Sequence, residues 1–131
     1  MSKITKVIAR QIYDSRGNPT IEAEVFANNM RARAICPSGA STGSHEAYEK
    51  RDFSNKRYLG KSVLKPVNLI NKIISKKLKN QNIHNQEKID YILIKLDGTK
   101  QKKKFGANAL LAVSMAVKKL SARIRKTPLY K

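Results

Sequence analysis

The strongest constraint on the fold is the strict alternation of residues 20–27. One side of that stretch is apolar and carries Ile21, Ala23 and Val25, and alternation of this kind is typical of a β-strand with one buried face. The pair Asn28-Asn29 follows it directly. Because asparagine tolerates positive φ, this pair predicts a tight hairpin turn and an antiparallel return strand.

Two further strands complete the predicted sheet. The stretch 4–13 is rich in Ile, Val and Tyr, and the dense cluster of turn formers at 14–19 separates it from the alternating strand. The return strand runs over 30–36 and stops at Pro37. The sequence therefore predicts a three-stranded antiparallel β-meander within residues 1–36.

Apolar residues at helical spacing occupy much of the rest of the chain. Steps of four, three, four and four residues connect Val63, Val67, Ile70, Ile74 and Leu78. Proline deep inside a helix would cost about 3 kcal/mol, so the proline within this stretch must lie in or just before the first turn. The pattern predicts one amphipathic helix.

Two later segments have the same character. One helix is predicted from near Asn85 to Leu96, with Asp97-Gly98 as its stop, and a longer one from Phe105 to Arg125. Strands followed by helices, without alternation, favour an α+β fold over a parallel sheet. We expect a single domain over 1–131, with a meander over 1–36, a mobile loop over 37–44 and a mainly helical part over 45–131.

Charge is distributed very unevenly. The chain has 131 residues, 28 basic and 9 acidic, for a formal net charge of +19, of which residues 61–131 contribute +15. This excess is consistent with an anionic partner such as RNA, or with a compositional bias toward lysine.

The single cysteine, Cys36, fits a reducing compartment, and the charged, interrupted N-terminal stretch does not resemble a secretory signal. No apolar run reaches the roughly 20 residues of a membrane span, so we expect a cytoplasmic domain.

The segment PSGASTGS at 37–44 carries the most chemical information. Its two glycines, Gly39 and Gly43, let the backbone approach a ligand closely and let the loop move. It is not a P-loop, because only three residues separate the glycines and no Lys-Ser/Thr pair follows. Taken alone, the segment is better interpreted as an ordinary flexible turn than as a ligand-binding loop.

The order of several blocks resembles the N-terminal domain of enolase. The opening is ARQIYDSRGNPTIE at 9–22, the loop is PSGASTG at 37–43, and HEA and EKRD follow at 45–47 and 49–52. Further blocks match along the chain: YLGK at 58–61, LDGT at 96–99, FGANA at 105–109 and PLY at 128–130. The resemblance covers essentially the whole chain, and that family domain is a three-stranded sheet followed by helices.

The resemblance implies a part of the lyase that dehydrates 2-phosphoglycerate to phosphoenolpyruvate in glycolysis. Enzymes of this kind use a Lys or His base with Mg²⁺. The family's catalytic base, acid and metal carboxylates belong to a C-terminal barrel, so we expect no catalytic residue in this chain and no activity from it alone. The family is homodimeric.

Five residues match functional positions of the family. Gly39 and Ala40 match loop positions that approach substrate, and Ser41 matches the serine that reaches the second Mg²⁺ when the loop closes. Arg16 and Glu22 match contacts to the other subunit. Without the resemblance, Arg16 is an ordinary turn residue and Glu22 a solvent-exposed strand residue.

An alternative is a basic binding module that keeps the fold and binds RNA or another polyanion, weakly, through residues 61–131. Its densest cluster contains Lys100, Lys102, Lys103 and Lys104, and Phe105 is the only aromatic nearby for stacking on a base. The remaining candidates are weaker. His45 is expected to have a local structural role, His84 to be exposed, and Glu46, Glu49 and Asp52 to be poor candidates for a metal site.

Overall fold

A computed structural model describes residues 2–36, 49–52, 62–100, 102 and 104–130. The predicted loop over 37–44, with Gly39, Ala40 and Ser41, lies outside these residues. His45 and Lys103 also lie outside them.

The predicted meander is confirmed. Strands β1 (Lys6–Tyr13), β2 (Pro19–Ala27) and β3 (Met30–Ile35) form one antiparallel sheet in the order β1-β2-β3. The hairpin between β2 and β3 turns at Asn28 and Asn29, whose φ values of 53° and 59° are the positive ones expected for asparagine there.

The predicted helices are present, and the first of them contains a π-helical turn that was not predicted. Residues 64–78 form a continuous helical stretch made of α1 (Leu64–Leu69), a π-helical turn (Ile70–Ile74) and α2 (Ser75–Leu78). The later helices are α3 (Gln86–Asp97) and α4 (Ala107–Arg125). The structure therefore starts the longest helix two residues later than the apolar pattern does.

The core lies between one face of the sheet and the helices. Helix α4 packs across β2 and β3. Both elements carry buried alanines, whose small side chains let a helix approach a sheet closely: Ala32 and Ala34 in β3, and Ala109, Ala112 and Ala116 in α4. The predicted stripe also faces inward, because each of its five members is at most 6% exposed: Val63, Val67, Ile70, Ile74 and Leu78.

The opposite face of the sheet differs from the expectation for Glu22. Glu22 and Glu24 are only 8% and 5% exposed, so describing Glu22 as a solvent-exposed strand residue was wrong. The Arg10 guanidinium covers both, with Nη1 2.5 Å from Glu22 Oε1 and Nη2 2.9 Å from Glu24 Oε1. Hydrogen bonds to Glu24 and Glu22 raise the pKa of Arg10 above its ordinary value. Alternation correctly places Glu22 and Glu24 on the face opposite the core, but it does not predict that Arg10 from the neighbouring strand covers them.

The expectation for His84 was also wrong. This side chain is partly buried, and its Nδ1 lies 2.7 Å from Oγ of the buried Ser121 on α4. Burial lowers the pKa of His84 below 6.5, and the nearby charge of Arg125 lowers it further. The polar sequence around His84 gives no sign that α4 reaches it.

Candidate functional site

The segment that carries the candidate loop is held at both ends by the start of β2. At one end, the Cys36 N–H donates to the Ile21 carbonyl at 2.9 Å, and the Thr20 hydroxyl donates to the Cys36 carbonyl at 2.8 Å. At the other end, Arg51 Nη1 donates to the Pro19 carbonyl at 2.8 Å. Three consecutive residues of β2 therefore fix the positions from which the 37–48 segment departs and to which it returns.

The returning end is also clamped to helix α4. Asn108 Oδ1 accepts from the Lys50 N–H at 3.0 Å, and Asn108 Nδ2 donates to the Lys50 carbonyl at 2.9 Å. A single buried amide side chain thus satisfies both backbone groups of Lys50. The contact requires a glycine beside it, because a Cβ built on Gly106 would lie 2.4 Å from Lys50 Cβ.

A third restraint connects the same end to the first helix. Asp52 is 2% exposed, and its two carboxylate oxygens accept from the N–H groups of Leu64 and Lys65 at 3.1 Å each. A carboxylate at a helix N-terminus satisfies otherwise unpaired donors and complements the helix dipole. Asp52 therefore acts as an N-terminal cap for α1, which accounts for a buried acid without invoking a metal.

Cys36, beside the departing end, is a buried cysteine whose surroundings disfavour the thiolate. Burial raises the pKa of its thiol to about 11, and the charge of Glu49 adds to the rise while Arg51 opposes it. The thiolate is the reactive form of cysteine, and this environment disfavours it. The thiol acts as a small apolar group in the core.

The two residues matched to subunit contacts lie at different places in the described structure. Arg16 is exposed in the turn between β1 and β2, where the Asp14 carboxylate accepts from the backbone N–H groups of Arg16 and Asn18, each at 2.9 Å. Glu22 lies on the outer face of the sheet under Arg10. Among the described residues, neither a hydrogen bond nor an ion pair joins Arg16 to Glu22.

The basic cluster after α3 has no stacking platform in the described structure. Phe105, the only aromatic near it in sequence, is 1% exposed and belongs to the core. Its N–H donates to Asp97 Oδ2 at 2.8 Å, which connects the end of α3 to the start of α4. The one ring expected to help nucleic-acid binding is therefore unavailable for stacking.

Metal-binding groups are sparse in the described part of the chain. Within residues 2–36, 49–52, 62–100, 102 and 104–130, no three His, Cys, Asp or Glu side chains lie close enough to hold a metal ion together. Among the same residues, no helix combines the length and apolarity needed to cross a membrane.

The anchoring residues were missed by sequence reasoning. Asn108 is the second residue of α4, and Gly106, which has a positive φ, precedes the helix. Asparagine near a helix N-terminus commonly bonds local backbone groups, so its position gave no sign of a distant partner. That partner, Lys50, lies 58 residues earlier in the chain and could not be identified from spacing.

Strands followed by helices, without alternation, define the class: an α+β domain. The family model described as "Enolase, N-terminal domain" matches residues 4–131, so the chain belongs to the enolase N-terminal domain family. The chain is 69% identical over all 131 residues to the protein named "Enolase" from Pelagibacter ubique (strain HTCC1062). It spans 31% of the length of that relative.

Proposed function

We propose that this chain is the N-terminal domain of an enolase that dehydrates 2-phosphoglycerate to phosphoenolpyruvate with Mg²⁺, in glycolysis and in the cytoplasm. The family match and the 69% identity to an enolase support this assignment. The observation that carries it is the anchoring of the 37–48 segment by β2, α1 and α4. Such a frame suits a loop whose ends must stay fixed while its middle closes over a ligand.

The contribution of the chain is a lid, not a catalytic centre. In this proposal Gly39 and Ala40 approach the substrate, and Ser41 reaches a Mg²⁺. Hydroxyl and carbonyl oxygens are suitable but weak ligands for this ion, so carboxylates must supply most of its affinity. The described residues offer no such donor set, and we assign the base, the acid and the metal carboxylates to the barrel domain of the whole enzyme.

The chain is also proposed to contribute subunit contacts in a homodimer, through Arg16 and Glu22. Arg16 is exposed on a turn that Asp14 holds rigid, which suits a contact across an interface. Glu22 uses Oε1 to bind Arg10, and a carboxylate has lone pairs left for a second cation. A partner arginine would therefore join an existing ion pair.

A chimera tests the proposed function directly. The first 131-residue portion of the Pelagibacter ubique enolase is replaced by this chain, and conversion of 2-phosphoglycerate is followed with saturating Mg²⁺. We expect turnover from the chimera and none above background from the 131-residue chain alone. An inactive chimera that folds and dimerises, or turnover by the pure isolated chain, would contradict the proposal.

Ser41 gives the sharpest prediction within that chimera. Ser41→Ala should lower kcat more than it weakens binding of the first metal ion, because this serine is proposed to act only after loop closure. The expected loss is about 2–4 kcal/mol of transition-state stabilisation, or roughly thirty- to several-hundred-fold in rate. Ser38→Ala in the same loop is the control, with a smaller loss expected. Equal, near-parental rates in the two variants would contradict the metal-binding role of Ser41.

The polyanion-binding alternative is not proposed. Phe105, the one aromatic residue beside the basic cluster, is buried, so the described structure adds no support to this alternative.

A further inference from the structure

A groove runs along the outer edge of β3, the last strand of the described sheet, and the C-terminal third of α4 forms its other side. Its volume is about 390 Å³, and a second hollow of about 330 Å³ continues it past Glu24 and Arg31. Neither the candidate loop anchors nor the residues matched to subunit contacts line it. The groove is therefore separate from the site described above.

Three cations line this groove: Arg33 from β3, and Lys119 and Arg123 from α4. All three are exposed, and among the residues that the structure describes none of them has a carboxylate within salt-bridge distance. Glu24, which lines the second hollow, is already engaged by Arg10 at 2.9 Å and by Arg31 at 3.6 Å. The described lining of the groove therefore has an excess of positive charge.

The floor of the groove is apolar. Ala32 and Ala122 are buried beneath it, and Leu129 lies beside it with 46% of its surface exposed. A phosphate backbone gains nothing from an apolar floor, and among the described lining residues there is no aromatic ring on which a base could stack. The mixture of cations and small apolar groups fits a peptide with acidic and apolar side chains better than it fits RNA.

Besides its cations and its apolar floor, the groove has a third feature, the backbone of the edge strand β3. The N–H of Cys36, just beyond the strand, points to β2. Backbone groups of successive strand residues point to opposite sides, so those of Arg33 and Arg31 point away from β2. The Arg31 carbonyl faces outward and already accepts from Arg123 Nη1 at 2.6 Å, which leaves one lone pair of this oxygen. An edge strand with outward N–H and carbonyl groups is a template for an added strand.

We propose that this groove binds an extended acidic peptide segment of a partner protein, paired along the edge of β3. The carboxylates of the peptide bind Arg33, Lys119 and Arg123, while its alternate apolar side chains contact Ala32, Ala122 and Leu129. A second copy of this chain is a poor occupant of this groove, because only 9 of its 131 residues are acidic.

The test uses fluorescence anisotropy with a labelled short peptide of alternating glutamate and leucine. A glutamine–leucine peptide reports the contribution of charge, and labelled oligouridylate represents RNA. The chain variant combines Arg33→Gln, Lys119→Gln and Arg123→Gln. The matched control combines Lys72→Gln, Lys76→Gln and Lys77→Gln, which removes the same charge from exposed positions on the first helical stretch.

We expect the acidic peptide to bind the parent chain, and the groove variant to bind it at least about tenfold more weakly, with the control variant near the parent. The glutamine–leucine peptide should bind far more weakly than the acidic one. If the groove variant unfolds, the double change Arg33→Gln and Lys119→Gln replaces it, since neither side chain has an ion pair in the described structure. Equal losses in groove and control variants, tighter binding of oligouridylate than of peptide, or no peptide binding would each overturn the proposal.

Discussion

Gly106 is the residue on which the clamp at Lys50 depends. Its φ is +90°, and an added Cβ would lie 2.4 Å from Lys50 Cβ and 2.5 Å from Asn108 Oδ1. Gly106→Ala should therefore lower the free energy of unfolding by about 2–4 kcal/mol, through backbone strain and the displaced clamp. Urea denaturation measures the loss.

Gly17 provides a matched control for that substitution. It also has a positive φ, +78°, but an added Cβ would meet no atom within 4 Å. Gly17→Ala should lower the free energy of unfolding only by the cost of backbone strain, about 1–2 kcal/mol. If both substitutions cost the same, the close approach to Lys50 does not contribute.

His84 should titrate below the ordinary histidine value of 6.5, because it is partly buried and lies near Arg125. A group whose pKa is lowered by folding contributes stability that is present above its unfolded pKa, so this contribution is lost as the pH falls below 6.5. Nuclear magnetic resonance titration of the imidazole protons should show the lowered pKa, and Arg125→Gln should raise it. Lys126→Gln is the control and should leave it nearly unchanged; an equal rise would contradict the role of Arg125.

The π-helical turn presents Asn71 to the edge strand β1. Asn71 Oδ1 accepts from the Ala9 N–H at 2.8 Å, and Asn71 Nδ2 donates to the Ala9 carbonyl at 3.0 Å. The amide thus satisfies an edge residue as a neighbouring strand would, on the side of β1 that does not face β2.

Removing that amide should destabilise the chain measurably. Asn71→Ala leaves the buried N–H and carbonyl of Ala9 without this partner, at a cost of about 1–3 kcal/mol. Asn68→Ala, on an exposed position of the same helical stretch, should change stability by less than about 0.5 kcal/mol. Amide hydrogen exchange at Ala9 should accelerate only in the first variant; unchanged exchange there would refute the edge role.

At this scale the sequence predicts more of the fold than of the site. Helix α3 shows the success, because Asn85 accepts from the Lys88 N–H and Gly98 ends the helix with φ 70°, and both are local signals. The π-helical turn was not predicted, since Ile70 and Ile74 keep ordinary helical spacing. The clamps at Arg51 and Asn108 were missed because they join distant parts of the chain. Ser41 and its neighbours lie outside the described residues, so their roles stay predictions.

For the whole molecule, the net charge of +19 should make stability depend on salt. Screening by sodium chloride weakens repulsion among 28 basic side chains, and we expect the Tm to rise by about 3–6 °C between low and physiological ionic strength. The variant that replaces Lys72, Lys76 and Lys77 with glutamine should show a smaller rise. A Tm that falls with salt would mean that local ion pairs, such as Arg10 with Glu22, outweigh the long-range repulsion.

The attachment of the 37–48 segment to the first three residues of β2 affects how well the segment tolerates insertions. Because Pro19, Thr20 and Ile21 bind the residues on both sides of the segment, these hydrogen bonds offset part of the entropy cost of bringing its two ends together. Doubling the number of residues between the two ends would cost only about 0.6 kcal/mol more. Insertions within the segment should therefore lower the free energy of unfolding very little.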